Sequence, residues 1–112
     1  MLIFPMNQKR KKTCYAVIFT STQTDFQEGY AEMSARMQEL ARQQPGFLDI
    51  ESFRSPDGKG VTISYWEDLP AIQDWKQNPE HLTAQRLGKQ HWYQDYTVEV
   101  AKIESAYRFS RE

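Results

Sequence analysis

Residues 14–19 read Cys-Tyr-Ala-Val-Ile-Phe, and both alternating sets of this stretch are apolar. Tyr15, Val17 and Phe19 fall on one side, Cys14, Ala16 and Ile18 on the other. Side chains of a strand point to opposite faces with period two, so a strand with one wet face would carry a polar residue at every second position. This one does not. An aromatic and β-branched run without polar alternation needs cover on both faces of its sheet. That demand falls on a chain of 112 residues, which has room for one domain and no second core.

The sequence supplies cover for one face. Phe26, Tyr30, Met33, Met37 and Leu40 follow at steps of 4, 3, 4 and 3, the spacing of an amphipathic helix on a sheet. Asp25 with Glu28 three residues on has the form of a capping box and predicts the helix start there. Pro45-Gly46 predicts its end near Gln44. Residues 47–55 and 61–66 read as strands joined by a turn at Pro56-Asp57-Gly58, hence a hairpin. Asp68 caps a short helix through Leu69, Ile72 and Trp75. Asn78-Pro79 opens another through Leu82, Gln85 and Leu87, with a pattern that can continue to Tyr93. Residues 96–109, with Val98, Val100, Ile103 and Tyr107, predict a long last strand.

The order β-α-β-β-α-β is the ferredoxin-like, α+β arrangement, an antiparallel sheet with helices on one face. Both helical units then cover the same face, and the other is left bare although the first strand is apolar there too. A second sheet packed on that face, as in a C2 homodimer through the open sheet face, resolves the conflict. Tyr65 alternates away from Trp66 and belongs to that interface side.

Composition narrows the function. Fourteen Lys+Arg against fifteen Asp+Glu give a formal charge of −1, so no global field draws the chain to nucleic acid or an anionic membrane. Cys14 is alone and forms no internal disulfide, and His81 and His91 as the two histidines exclude a His-rich metal centre. No stretch approaches the ~18–20 apolar residues of a membrane span. Residues 1–6 are apolar, but the basic run at 8–12 follows them, the wrong order for a secretory signal. The expectation is a cytoplasmic protein with a flexible arm over residues 1–13 and its domain over 14–109.

The stretch Tyr65-Trp66-Glu-Asp-Leu-Pro-Ala-Ile-Gln-Asp-Trp75, followed by Glu80-His81 and Ala84-Gln85, resembles the antibiotic biosynthesis monooxygenase (ABM) domain family. Pro45-Gly46-Phe47, Glu51-Ser52 and Asp57-Gly58 extend the resemblance over roughly residues 14–108. It implies a dimeric α/β barrel of ferredoxin-like protomers, each with a cavity between sheet and helices. The family's members include cofactor-independent monooxygenases of quinols and polyketide aromatics, and others that bind or cleave haem.

On that resemblance Trp66 and His81 are the catalytic candidates. Trp66 stands where relatives place a cavity tryptophan, and its indole offers a flat surface and one N–H donor. It fills space between sheet and helix equally well. His81 can take a phenolic proton at neutral pH, and a phenolate can pass an electron to O₂ without a cofactor. Placed in the first turn of its helix, it is disfavoured as a cation by the helix dipole; its alternative is a plain structural hydrogen bond. Arg54 and Gln85 are polar points for orienting a substrate oxygen, and Trp75 and Trp92 complete the expected pocket lining. His91 reads as a surface or interface residue.

Haem is disfavoured. In haem-degrading relatives a histidine ten residues after the helix tryptophan holds the iron, and counting ten from Trp75 gives Gln85, a poor iron ligand. The expected asparagine of the first strand is also missing from residues 17–21. No metal and no cofactor are therefore expected. The partners expected are a second copy, a small aromatic substrate or ligand, and O₂. Three readings remain from the sequence: cofactor-free oxidation of a quinol or other electron-rich aromatic, a non-enzymatic ligand-binding or stress-response module, and haem binding.

Overall fold

The computed structural model describes residues 13–111; the expected arm lies outside them apart from Thr13. The elements are β1 (Cys14–Gln23), α1 (Tyr30–Arg42), β2 (Phe47–Arg54), β3 (Lys59–Trp66), α2 (Leu69–Lys76), α3 (Pro79–Leu87) and β4 (Tyr93–Ile103), with one π-helical turn, Gly88–Trp92, between α3 and β4. The four strands form one sheet in the order β2-β3-β1-β4, antiparallel throughout. This is the ferredoxin-like topology expected from the sequence.

The register decides which side chains share a face. Directly paired residues of neighbouring strands lie on the same side of a sheet. Trp66 stacks on Trp75 of α2, so Trp66 marks the helix-covered face. Four rows cross that face in register: Phe47, Trp66, Tyr15 and Lys102; Ile50, Ser64, Val17 and Val100; Ser52, Thr62, Phe19 and Val98; Arg54, Gly60, Ser21 and Tyr96. The opposite face carries Cys14, Ala16, Ile18, Val61, Ile63, Tyr65 and Phe53 by the same pairing. Phe53 is 60% exposed there. Tyr65 does face away from Trp66.

Three local expectations change. α1 begins at Tyr30, not after Asp25; its N-cap is Gly29 with φ 82°, and no side chain caps it. Asp25 is exposed. The preceding loop is instead tied to the π turn, where Thr24 N donates to Trp92 O at 2.8 Å and Gln27 Nε2 donates to the same carbonyl at 3.0 Å. Those long-range bonds outweigh the local cap. The regular helix α3 stops at Leu87, and the π turn takes its place before Tyr93. The last strand starts three residues earlier than expected, at Tyr93, and leaves the sheet after Ile103, because β1 offers no partner beyond Cys14↔Ile103. Tyr107 and Phe109 follow in an exposed, unpaired segment.

Candidate functional site

The middle of the helix-covered face is unusual for a layer that helices should seal. Rows two and three carry Ser64, Thr62 and Ser52 where a packed core would place large apolar residues. Ser52 is exposed and Thr62 only half-buried, and the two hydroxyls bond each other at 2.8 Å. Beside this strip lie Val17 and Phe19 of β1, then Val98 and Val100 of β4, which remain 53% and 49% exposed. The side chains left uncovered there, Ser52, Val98 and Val100 exposed and Thr62 half-buried, outline a trough with hydroxyls along its floor, the innermost of them, Ser64, buried, and an apolar flank. Its rows are spaced about 6.6 Å apart, two residues of strand.

One end of the trough is closed by aromatic packing. Trp66 ends β3 with no exposed surface, edge-on to Phe47 at 5.5 Å, and its indole N–H donates to Ser64 Oγ at 2.9 Å. Asp68 accepts from Ala71 N at 2.9 Å and starts α2, which lays Trp75 over Trp66 with centroids 6.2 Å apart. Asn78 Oδ1 accepts from Glu80 N and His81 N and starts α3. That cap sets His81 flat on Trp75, 4.3 Å between centroids and 10° between planes. The result is a column of Trp66, Trp75 and His81.

His81 Nδ1 lies 3.1 Å from Trp75 O. A carbonyl only accepts, so Nδ1 carries the proton and Nε2 holds the lone pair. Burial pushes the His81 pKa below its usual value; the bond to Trp75 O works the other way, and the charge of Lys76 adds to the lowering. The ring is therefore a neutral base. Gln85 Nε2 donates to Lys76 O at 3.1 Å and sits 3.4 Å from His81 Nδ1. With its amide spent on that carbonyl, Gln85, which stands where haem-degrading relatives carry a histidine, does not fit an iron ligand. Among the described residues no group of three or more His, Cys, Asp or Glu side chains could hold a metal ion.

The other end is built around Arg54. Gly60 stands next to it in β3, and a Cβ there would lie 2.7 Å from Arg54 Cζ. The missing side chain lets the guanidinium lie across β3 and reach β1. Arg54 Nη1 donates to Gly58 O at 2.6 Å, and Nη2 donates to Ser21 Oγ at 2.9 Å and to Tyr30 Oη at 3.4 Å. Tyr93 packs edge-on to Tyr30 at 6.0 Å and to Phe19 at 5.2 Å. Its pKa is pushed far above the ordinary phenol value by burial and then by its hydrogen bond with Tyr30, so it stays protonated. Trp92 is buried behind Tyr30, edge-on at 5.7 Å, and its indole N–H donates to Glu28 O at 3.0 Å. Phe26, His91 and Trp92 also line a groove of about 550 Å³ between the start of α1 and the π turn after α3.

The six residues singled out from the sequence thus fall into two groups. Trp66, Trp75, His81 and Gln85 converge at the closed end, while Arg54 and Trp92 stand at the far end, joined through Tyr30. His91 is exposed and packs against Phe26 at 5.2 Å. Sequence reasoning had Ser21 as a first-strand hydroxyl without its partner Arg54, and missed the site roles of Tyr30, Tyr93 and the hydroxyl strip. The strip had a signal: residues 61–66 alternate apolar and hydroxyl up to the tryptophan. Tyr93 had none, since the turn before it was read as helix.

The architecture places the chain among ferredoxin-like α+β proteins, and solved structures agree. A protein from Shewanella oneidensis superposes with a TM-score of 0.73 at 10% identity, covering 83% of this chain and 93% of that one. SnoaB, a cofactor-independent oxygenase from Streptomyces nogalater, gives 0.66 at 19% identity over 91% of this chain and 100% of that one. At such identities the likeness is one of fold. The model of the antibiotic biosynthesis monooxygenase family matches residues 13–87, and the chain belongs to that family. An uncharacterized Bacillus subtilis protein, YqjZ, is 47% identical over 90 residues, 80% of this chain and 79% of that protein.

Proposed function

We propose that this chain is a cofactor-independent monooxygenase that oxidises a quinol or another electron-rich aromatic in the trough of the helix-covered face. The observation that carries the reading is the hydroxyl strip between an aromatic end and a guanidinium end, buried at Ser64 and opening to solvent through Thr62 to Ser52. It suits a flat ring bearing oxygens. His81 Nε2 takes a phenolic proton, and the phenolate passes an electron to O₂. The substrate supplies all four electrons. One oxygen atom ends on a ring carbon and the other leaves as water, so a quinol becomes a hydroxyquinone. Trp66 acts as a wall and through Ser64: by donating to Ser64 Oγ it leaves that hydroxyl's own proton for the substrate. Trp75 holds the His81 ring by stacking and through its carbonyl, Gln85 packs beside it, and Trp92 supports Tyr30.

Metal-free protein should raise O₂ consumption with a panel of quinols, and His81→Ala should lower it by about a hundredfold or more, the low end for a lost general base. No uptake with any quinol would reject the reading. A ligand-binding module without turnover is favoured by one observation, that His81 is the one group placed to act as a neutral base in an otherwise unreactive lining. Tight binding of an aromatic without O₂ uptake would establish it.

The working unit of the proposal is a homodimer through the open sheet face, where Phe53, Ile63, Ile18 and Tyr65 form the apolar patch, and its site of action is the cytoplasm. Sedimentation should give a dimer for the wild type and a monomer for Phe53→Glu.

A further inference from the structure

Arg54 is a cation whose described neighbours are all neutral. Its guanidinium is half-buried and donates to a backbone carbonyl, a serine hydroxyl and a phenol. Among the described residues no carboxylate lies within ion-pair distance of it. An arginine stays charged across the whole working range of pH, and a charge drawn out of water without a counter-ion is costly. Tyr30 and Tyr93 do not supply one. Tyr93 is held in its protonated form, and Tyr30 shares a hydrogen bond with it.

The donor count points the same way. A guanidinium has five N–H groups, and the bonds to Gly58, Ser21 and Tyr30 engage three of them. Nε–H and one Nη1–H have no partner among the described residues. The cation also lies in the last of the four rows, one row from Phe19, Thr62 and Ser52.

We propose that the ligand of the trough is an aromatic carboxylate, its anionic group bound by Arg54 and its ring lying over Phe19 and Thr62. One row of strand, about 6.6 Å, is the step from a guanidinium carbon, across its paired hydrogen bonds and the carboxylate carbon, to the middle of the ring that bears the carboxylate. A ring hydroxyl then reaches the Ser52–Thr62 pair. A carboxylate fits better than a phosphate because the guanidinium offers a planar fork, and the flank of Phe19, Val98 and Val100 accepts a flat apolar body. The substrate class is narrowed from any quinol to one that carries a carboxylate. This rests on the trough being the ligand site and does not depend on oxidation taking place there.

The test uses the full chain and two ligands of nearly equal shape, 2,5-dihydroxybenzoate and 2,5-dihydroxybenzamide, with binding followed by calorimetry. The wild type should prefer the acid by roughly 10- to 100-fold, the range for charge-assisted hydrogen bonds. Arg54→Gln should abolish the preference, and Arg54→Lys should keep only part of it. The preference of the wild type is measured without any variant, so a misfolded substitution does not spoil the result. Equal affinity for acid and amide, no binding of either, or an Arg54→Gln protein that keeps the preference would each overturn the proposal. O₂ uptake on the same ligands separates the two ideas. Preference without uptake retains the carboxylate site and rejects the oxygenase; uptake on the neutral amide without preference does the reverse.

Discussion

Gly60→Ala sets two effects of opposite sign against each other. Inside a strand, glycine is ordinarily worse than alanine by about 0.5–1 kcal/mol, because it loses more backbone freedom on folding. Propensity alone therefore makes the variant more stable. The geometry says otherwise. A Cβ at position 60 would lie 2.7 Å from Arg54 Cζ, 2.9 Å from Nη1 and 2.8 Å from Phe53 O. The guanidinium can swing away, at the expense of its bond to Ser21. The Phe53 carbonyl is held in the β2–β3 pairing and cannot. Overpacking of this kind costs typically about 1–3 kcal/mol, so the steric effect wins and the net loss is about 1–2 kcal/mol. For a chain of this size that lowers Tm by roughly 4–10 °C. Urea and thermal unfolding at fixed protein concentration measure it. Arg54→Ala combined with Gly60→Ala should be less damaged than the sum of the singles by at least about 0.5 kcal/mol, since the guanidinium half of the clash is gone. A Gly60→Ala protein as stable as the wild type, or strict additivity, would refute the placement of Arg54 across β3.

Lowered in the native state by burial, the His81 pKa also ties stability to pH. The unfolded chain takes up its proton first, near ~6.5, so this contribution is complete above that value and is lost as pH falls through the native one. Urea midpoints of the wild type should drop on acidification below about pH 6.5, and His81→Gln should remove that part of the slope. Gly46→Ala combines a backbone at φ +83° with a Cβ 2.6 Å from Ala71 Cβ. It should cost at least about 2 kcal/mol, partly recovered by Ala71→Gly, as denaturant titration would read. Asn78→Ala removes the cap of α3 and should cost about 1 kcal/mol in the same titration, with Asn78→Ser close to wild type.

How much of this was legible in the sequence follows the range of the interactions. Periodicity and turn chemistry act over a few residues, and they gave the strand and helix order, the hairpin, and the caps at Asp68 and Asn78. Tyr65 and Trp66 could be assigned to opposite faces because alternation is local. The start of α1 was misplaced because the bonds that decide it run from Thr24 and Gln27 to Trp92, across more than sixty residues. The column of Trp66, Trp75 and His81 was half visible, since residues 66, 75 and 81 lie in consecutive elements whose caps the sequence shows. The Arg54 end was not visible beyond the arginine itself. Its parts come from β1, α1, β2, β3 and β4, and only the register of the assembled sheet brings Ser21, Gly60 and Tyr96 into one row with Arg54.

That row also explains why the two ends of the trough are built so differently. At the Trp66 end the side chains are tied to one another and to the backbone: the indole to Ser64, His81 Nδ1 to Trp75 O, the Gln85 amide to Lys76 O. Such an end is rigid and can hold a base in one tautomer. At the Arg54 end the charge has, among the described residues, only neutral hydrogen-bond partners and two unspent donors, the features on which the proposed carboxylate site rests. Between them the floor gives up the large side chains that would have joined α1 to the sheet, and the apolar burial forgone there has to be recovered elsewhere. The open face, with Phe53 exposed beside Val61 and Ile63, is the surface left to do so. The double-sided apolar character of β1 thus divides unevenly: Cys14 and Ala16 are buried within the single chain, and the proposed ligand and the proposed second copy are the covers for what the helices and the chain itself leave exposed.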